Sequence, residues 1–261
     1  RLRADGLPRP LLLADLGTNG ELALVDAQGR LWLASVPLGP ALEGIGPQCG
    51  RMAGPGSITR FEVSPLGLSC HSVDGPLAAG ADVQGISATG YLSLLALLLR
   101  LGCLDADGHF RTPASPLARR MAPPPRQSRT GRRLPLPYGQ WLAAADVEEL
   151  LKVKAAFSQA LEALLRAAGL AASDVACLAL AGALGEHCPP ACLEELGFLP
   201  SGMGRRVRAV GNSSLDGAAL LAAEPWRLPA LARWCATATL VPVAEDPGFH
   251  ADYLRHMRFG V

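Results

Sequence analysis

Asp15 ends an apolar run and is followed by a polar turn, after which the chain returns to an apolar run. The turn consists of Gly17, Thr18, Asn19 and Gly20. Glycine lets a backbone approach an anion closely, so successive N–H groups in such a turn can cradle a phosphate. A carboxylate at a strand end can hold Mg²⁺, usually through water. An ordinary β-hairpin with a polar turn explains the same spacing, and the pattern alone leaves both interpretations open.

Two further glycine turns follow apolar runs later in the chain. Residues 175–181 and 206–210 are predicted to be strands, and each runs into a turn of small residues. The turn residues are Gly182, Gly185, Gly211 and Asn212. A strand that ends in small residues before a helix is compatible with a contact to phosphate or ribose. The chain therefore has three junctions at which a nucleotide could be held.

Glu43 and Lys154 are the other two candidate ligands. Glu43 is the one acidic residue in residues 39–54, a stretch with five glycines that is not expected to pack as regular structure. It is either a polar ligand or an exposed loop carboxylate. Lys154 falls among the apolar positions of a predicted helix from Ala145 to Gly169. It either extends past the core to solvent or reaches toward an anionic ligand.

The elements that must position these residues alternate between strands and helices. Residues 11–36 predict three strands, and residues 57–63 and 67–73 alternate like a paired set. Residues 91–101 predict a helix whose start, Ser87-Ala-Thr-Gly90, fits either an ordinary N-cap or an anion site. The pattern indicates an α/β fold, with residues 1–10 as an amino-terminal tail and residues 11–261 as one domain.

Composition excludes several classes of protein. The net charge is +1, which argues against a globally basic nucleic-acid binder. No apolar run reaches the ~18 residues needed to cross a membrane. From the charge and from this length together, neither nucleic acid nor a membrane is an expected partner. The seven scattered cysteines do not fit a disulfide scaffold and favour a cytoplasmic location. The pair Cys188 and Cys192, beside His187, lacks further ligands at metal-site spacing, so buried reduced thiols are the favoured interpretation.

Residues 109–145 contain seven arginines and not one acidic residue. With the run Pro123–Pro125, the stretch at about 109–140 is interpreted as a mobile or extended basic insertion that cannot be a packed helix. It is either a solvated linker or an arm that docks on an acidic partner. An aromatic platform that would support nucleic-acid binding is lacking.

Five motifs in order carry a resemblance to a known family. They are Asp15-Leu-Gly-Thr-Asn-Gly-Glu21, Gly39-Pro-Ala-Leu-Glu-Gly44, Asp146 to Lys154, Ala181-Gly-Ala-Leu-Gly185 and Val210-Gly-Asn-Ser-Ser-Leu-Asp-Gly-Ala218. Together they resemble the carboxy-terminal domain of the reductive activators of corrinoid proteins, ferredoxin-containing ATPases of the actin/Hsp70/sugar-kinase superfamily. The resemblance covers most of the chain and implies an RNase-H-like, actin-like ATPase fold, with a mixed sheet flanked by helices. This chain would be the second half of the two-subdomain ATPase.

The resemblance also implies a function. Members use ATP and Mg²⁺ to drive the uphill reduction of Co(II) to Co(I) in a methyl-carrying corrinoid protein, mostly in anaerobic one-carbon metabolism. Their 2Fe–2S cluster belongs to an amino-terminal ferredoxin domain, and nothing in this sequence is like it. The expected partner is a corrinoid protein, and a homodimer is left open.

The resemblance assigns roles to individual residues. Asp15 would bind Mg²⁺ through water or orient the attacking water, with Glu43 as a second catalytic candidate. The turn residues Gly17, Thr18, Asn19 and Gly20 would hold phosphate oxygens. The remaining nucleotide-binding candidates are Lys154, Gly182, Gly185, Gly211 and Asn212, with Gly182 and Gly185 beside adenosine and the last two near the hinge or ribose.

Ala88 and Ala183 stand where the family has glycine. Each adds a Cβ at a place where backbone and ligand approach, which favours one alternative: a domain that has lost its nucleotide and serves as a docking platform for the corrinoid protein. Another alternative is a kinase or a dehydratase-activator ATPase of the same superfamily. An upstream ferredoxin cysteine pattern would distinguish the corrinoid activator from the dehydratase type.

Overall fold

The computed structural model describes residues 6–65, 67–129 and 131–260, without the side chains of Leu117 and Ala183. Half of the predicted tail, residues 1–5, lies outside this range. The strands are β1 Leu11–Leu16, β2 Asn19–Val25, β3 Leu31–Pro37, β4 Ser57–Ile58, β5 Arg60–Ser64, β6 Gly67–Ser72, β7 Gly75–Pro76, β8 Gly85–Ile86, β9 Arg126–Ser128, β10 Gly131–Pro135, β11 Trp141–Ala143, β12 Cys177–Ala181, β13 Val207–Ala209 and β14 Thr239–Leu240.

The helices lie between these strands and at the carboxyl end. They are α1 Ala88–Arg100, α2 Pro116–Met121, α3 Ala144–Ala168, α4 Gly182–His187, α5 Pro190–Leu196, α6 Ser213–Ala223, α7 Leu228–Cys235 and α8 Phe249–His256. Short 3-10 turns occur at Pro40–Glu43, Pro137–Gly139, Ala172–Asp174, Gly204–Arg206, Pro225–Arg227 and Val243–Glu245. Among the described residues, none of the helices combines the length and the apolar character that a membrane crossing requires.

A six-stranded mixed sheet forms the centre of the fold, in the order β13-β12-β1-β2-β3-β14. The strands β1, β2 and β3 are antiparallel neighbours, joined by the two tight turns that the sequence predicts. Strand β12 runs parallel to β1, and β13 runs parallel to β12. Three antiparallel strands extended on one side by strands parallel to the first form the RNase-H-like arrangement, which confirms the α/β fold expected from the resemblance.

Helix α3 covers the sheet at β2 and β3 and is the longest helix described. Its buried face includes Leu150, Phe157 and Leu164, at the spacing from which the helix was predicted. Asp146 caps its start by accepting hydrogen bonds from the backbone N–H of Ala143 (3.0 Å) and of Gln48 (2.9 Å). The same carboxylate therefore ties the glycine-rich loop of residues 39–54 to α3.

The start of α1 forms the ordinary N-cap that the sequence predicted as one of two alternatives. The Ser87 hydroxyl accepts a hydrogen bond from the Gly90 N–H at 3.2 Å and lies 3.0 Å from the Thr89 hydroxyl. All three residues are buried. Gly90 packs so closely that a Cβ would lie 2.3 Å from the Ile58 carbonyl oxygen. The small residues that looked suited to an anion are therefore explained by a helix packed tightly on its neighbours.

The basic segment is folded, which corrects the prediction of a mobile or extended insertion. It contains the helix α2 and the strands β9 and β10, and it buries Met121 and Leu134. The prolines were wrongly taken to exclude a helix. Pro116 occupies the first turn of α2, where a missing N–H costs nothing, and Pro123–Pro125 follow its end. The buried apolar residues anchor an otherwise polar stretch.

Candidate functional site

The carboxyl ends of β1, β12 and β13 meet at one edge of the sheet because the three strands are parallel neighbours. Asp15 near the end of β1 is in register with Ala181 at the end of β12. The Gly182 N–H donates to the Gly211 carbonyl at 2.9 Å, which joins the turns that follow β12 and β13. The three junctions identified in the sequence thus form one cluster in space.

Asp15 is contacted from across the cluster by a serine. The Ser214 hydroxyl, in the first turn of α6, donates to Asp15 Oδ2 at 3.1 Å. Ser214 lies within the motif Val210–Ala218, but the sequence pattern predicted no role for it. Its proximity to Asp15 could be inferred only from strand order, because 199 residues separate the two in sequence.

Gly182 lies directly beside the Asp15 carboxylate. Its φ of +78° belongs to the left-handed region that favours glycine, and a Cβ built there would lie 3.3 Å from Asp15 Oδ1. Gly211 also has a positive φ, of +61°. Gly185 differs, because it is helical and packs against the backbone of β12. The requirement for glycine is therefore conformational at Gly182 and Gly211 and steric at Gly185.

The turn after Asp15 contacts the loop that contains Glu43. The Thr18 carbonyl accepts hydrogen bonds from the N–H groups of Leu38 and Gly39, both at 2.9 Å. The Thr18 hydroxyl donates to the Glu43 carboxylate. Thr18 and Glu43, from two of the predicted motifs, are thus adjacent. Both are exposed, so they are accessible to a ligand.

Part of this turn already has internal partners. The Gly17 N–H donates to the Asn19 carbonyl at 2.9 Å, and Asn19 and Gly20 are paired with β3. Gly20 is buried, and a Cβ there would lie 2.9 Å from Leu38 Cδ1. Packing against Leu38 is enough to explain why position 20 has no side chain. Fewer backbone N–H groups than the motif suggested are therefore available to hold a phosphate.

Asn212 caps helix α6. Its side-chain oxygen accepts a hydrogen bond from the Leu215 N–H at 3.0 Å. The positive end of the helix dipole of α6 thus lies in the region of Asp15 and Ser214, although the N–H groups of Ser213, Leu215 and Asp216 are already bonded within the cap. A helix start beside a carboxylate and hydroxyls can bind an anion that carries its own metal ion.

A cavity of about 620 Å³ opens on the sheet beside this cluster. Its polar lining includes Asp15, Glu21, Ser213 and Ser214, and its walls include Leu33 and Leu240. Small-molecule sites typically have volumes of about 300–1,000 Å³ with a few convergent polar groups. The cavity therefore has the size and the mixed lining of a ligand site. Asp15 offers the hard oxygen donor that Mg²⁺ prefers.

Lys154 does not belong to this cluster in the structure. Its side chain is fully buried, and its ammonium donates to the carbonyls of His256 (3.1 Å) and Arg258 (2.7 Å). These carbonyls lie at the end of α8 and just beyond it. The periodicity correctly placed Lys154 on a buried face but wrongly suggested solvent or an anion as its target. Lys154 instead fastens the carboxyl-terminal segment to α3.

Burial, together with the nearby Arg255 charge, lowers the pKa of Lys154 to about 8. The unfolded chain keeps this proton up to about pH 10.5, so between these values unfolding takes up a proton and the free energy of unfolding rises with pH. We expect the free energy of unfolding of the wild type, minus that of Lys154→Met, to rise by about 3 kcal/mol from pH 8 to 10.5. Urea unfolding followed by circular dichroism measures it.

Lys152 supplies the matched control, since it is the other lysine of the chain. It is partly exposed, and its pKa is raised by Glu149 and Glu148. Lys152→Met should therefore show no such rise, and any trend should have the opposite sign. Parallel stability curves for the wild type and Lys154→Met would contradict the low pKa.

Other metal-binding candidates lie away from the cavity. Cys188 and Cys192 are buried thiols, as the sequence predicts, and burial raises the pKa of both. Asp105, Asp107 and His109 are close enough together to surround an ion. However, Asp105 is already engaged by the Arg111 guanidinium, at 2.6 Å.

An RNase-H-like sheet with an acidic residue at the end of its first strand, beside glycine turns and a helix start, defines a domain of the actin-like ATPase class. A sequence model of the family described as "C-terminal domain of RACo the ASKHA domain" matches residues 9–260, and the chain belongs to this family. ASKHA is the superfamily of the actin-like ATPases, so the match agrees with the fold.

Two relatives have names that agree with this family. The chain is 29% identical over 267 residues to "Corrinoid activation enzyme RamQ" of Eubacterium limosum, covering 98% of this chain and 44% of the relative. It is 28% identical over 240 residues to a Co(II) methylated amine-specific corrinoid protein reductase of Methanosarcina barkeri, covering 85% of this chain and 40% of the relative. The chain thus spans about two fifths of the length of these relatives.

A solved structure supports the fold. The chain superimposes on "Reductive activator for corrinoid, iron-sulfur protein" with a TM-score of 0.81 and 24% identity. The match covers 96% of this chain and 40% of the other. At this level of identity the similarity establishes the actin-like architecture, and the RNase-H-like fold inferred from the motifs is confirmed.

Proposed function

We propose that this chain is the ATP-binding domain of a ferredoxin-type activator, which uses ATP hydrolysis to drive the reduction of a Co(II) corrinoid in a methyl-transferring protein. The convergence of Asp15, Gly182, Gly211 and Ser214 beside the cavity carries the proposal. The family and the named relatives agree with it. The setting would be the cytoplasm of an organism with anaerobic one-carbon metabolism.

The residues present fit a nucleotide with Mg²⁺. Gly182 leaves open the space beside Asp15 that a Cβ would fill, and the donors around it are oxygens, as Mg²⁺ requires. Asp15 would hold the ion through water or orient the attacking water, and Ser214 would fix the Asp15 carboxylate. Thr18 and Glu43 would position phosphate or water from the neighbouring loop. Such sites act by positioning and by neutralising charge.

The remaining glycines would shape the pocket for the nucleoside. Gly182 would border adenosine, with Gly185 packed behind it against β12, and Gly211 and Asn212 would lie near the ribose or a hinge between subdomains. Bound ATP would supply the free energy for the electron transfer. A 2Fe–2S cluster would supply the electron from a different domain, since six of the seven cysteines here are buried and scattered.

A docking platform without nucleotide is the second candidate, and the phosphate turn favours it. The Gly17 N–H is already bonded within the turn, and Gly20 is buried. Under this alternative the domain would still bind the corrinoid protein, but ATP would have no site.

Titration of the protein expressed from its complete reading frame separates the two candidates. We expect ATP or a non-hydrolysable analogue, with Mg²⁺, to give saturable heat in calorimetry. ATP should also be required for the spectral change that accompanies Co(I) formation in the corrinoid protein. Binding of the corrinoid protein with no heat from either nucleotide would support the docking platform and overturn the ATPase proposal.

A further inference from the structure

The paired strands β9 and β10, with Arg129, carry an unusual concentration of positive charge, and residues 126–129 and 131–135 are called the arginine hairpin here. Arg126, Arg129 and Arg132 are exposed. None of these three forms an ion pair with any residue that the structure describes. Elsewhere many arginines are paired, for example Arg30 with Asp26 and Arg255 with Glu162. The arginine hairpin therefore presents charge that the described chain does not neutralise.

The strand register adds electrostatic repulsion between two arginines of the hairpin. Arg126 on β9 is directly opposite Arg133 on β10 in the antiparallel ladder. Like charges at opposite positions destabilise a strand pair. The segment from residue 109 to residue 145 contains no acidic residue, and the buried Asp146 carboxylate just beyond it interacts with Arg133. An acidic group supplied from outside the chain would neutralise the exposed Arg126, Arg129 and Arg132.

The two arginines flank a concave surface. A cavity of about 290 Å³ is lined by Arg126 and Arg133, with Gln140 and Trp141 beside them. The Arg133 guanidinium lies 4.7 Å from the centre of the Trp141 ring and donates to the Gln48 side-chain oxygen at 2.7 Å. Arg133 is therefore held in place. The cavity combines a fixed guanidinium, a second exposed one, and an amide.

We propose that the arginine hairpin is a docking surface for an acidic segment of a partner protein, with a carboxylate in the cavity between Arg126 and Arg133. Guanidinium groups suit carboxylates because their N–H donors form paired hydrogen bonds with both oxygens. A nucleic acid fits less well, because Trp141 is the aromatic residue that lines the cavity and Arg133 stacks on it. A base would have to compete with Arg133 for that ring.

The test uses the protein from its complete reading frame and a fluorescein-labelled peptide of ten residues rich in glutamate. Anisotropy should show binding that weakens as salt increases, because the contact is between exposed charges. The triple variant Arg126→Glu, Arg129→Glu, Arg132→Glu should bind at least about tenfold more weakly. A peptide with glutamine in place of every glutamate should not bind to the wild type.

The matched control is Arg205→Glu, Arg208→Glu, Arg233→Glu. These arginines are also exposed and have no ion pair with a described residue, so the control changes net charge equally. The proposal requires this variant to bind the acidic peptide like the wild type. Equal weakening by both variants would overturn it, since net charge alone would then explain the binding. So would tighter binding of a labelled ten-nucleotide single-stranded DNA than of the acidic peptide.

The outcome is independent of the proposed ATPase activity. Peptide binding involves neither Asp15 nor the cavity beside it, so a chain that binds no ATP could still show the docking surface. Conversely, an active ATPase whose arginine hairpin binds no acidic peptide would contradict only the docking proposal.

Discussion

Asp15→Asn in the complete protein is expected to slow ATP hydrolysis by about 10²- to 10³-fold, the usual loss when a preorganised electrostatic contact is removed from a reacting centre. Asparagine keeps the shape of the side chain and can still accept the hydrogen bond that Ser214 donates. The substitution therefore removes charge and leaves packing in place. Nucleotide affinity measured with Mg²⁺ should fall, because the carboxylate would no longer attract the ion or its water shell.

Two variants make this result interpretable. Asp74→Asn removes an exposed carboxylate between β6 and β7 and should leave hydrolysis unchanged. Glu21→Gln tests the other acid of the cavity, which faces Asp15 across the β1–β2 pair. If Glu21→Gln slowed ATP hydrolysis more than Asp15→Asn does, Glu21 and not Asp15 would hold the ion. Full hydrolysis by Asp15→Asn, with an unchanged free energy of unfolding, would remove Asp15 from the mechanism.

The strand framework was predictable because it depends on local pattern. The apolar runs of β1, β2 and β3 are separated by short polar turns, as neighbouring antiparallel strands require, and Gly169 ends α3 with a φ of +68°. The convergence of the three glycine junctions also followed, because the resemblance supplied the strand order. Given that order, parallel strands must end at the same edge of the sheet.

What the sequence did not reveal was the partner of each polar group. Ser214 reaches Asp15 from a helix at the other end of the chain, and no local signal specifies that contact. Lys154 was correctly placed on a buried face, but its acceptors are carbonyls about a hundred residues away. A pattern of apolar residues reports which face is covered, and it does not report what covers it.

The glycines show the same limit. The glycines of the three turns were all assigned to nucleotide binding, because glycine permits close approach of the backbone. They are Gly17, Gly20, Gly182, Gly185 and Gly211. The structure separates them: Gly182 leaves space beside Asp15, whereas Gly20 and Gly185 leave space for the protein itself. Only the neighbouring atoms distinguish these cases. Substitution of a packing glycine should therefore damage the fold before it damages any ligand contact.

Gly185→Ala is the strongest test of that distinction, with an expected loss of about 3 kcal/mol in the free energy of unfolding. A Cβ at this position would lie 2.4 Å from the carbonyl oxygen of Leu180, at the end of β12. That oxygen accepts a hydrogen bond from the Val210 N–H at 3.1 Å. The added methyl group must displace α4 or break this bond, and Val210 immediately precedes Gly211. The damage should therefore spread to the turns beside Asp15.

Gly217→Ala is the matched control, because Gly217 is also helical but has open space where its Cβ would be. There the substitution should stabilise the protein by about 0.5–1 kcal/mol, since alanine favours the helix. Urea unfolding gives both values, and hydrogen exchange should be faster at the Val210 amide in Gly185→Ala alone. Equal stability of the two variants would show that α4 moves freely at the end of β12. The tight packing that positions Gly182 beside Asp15 would then not be needed to hold the site together.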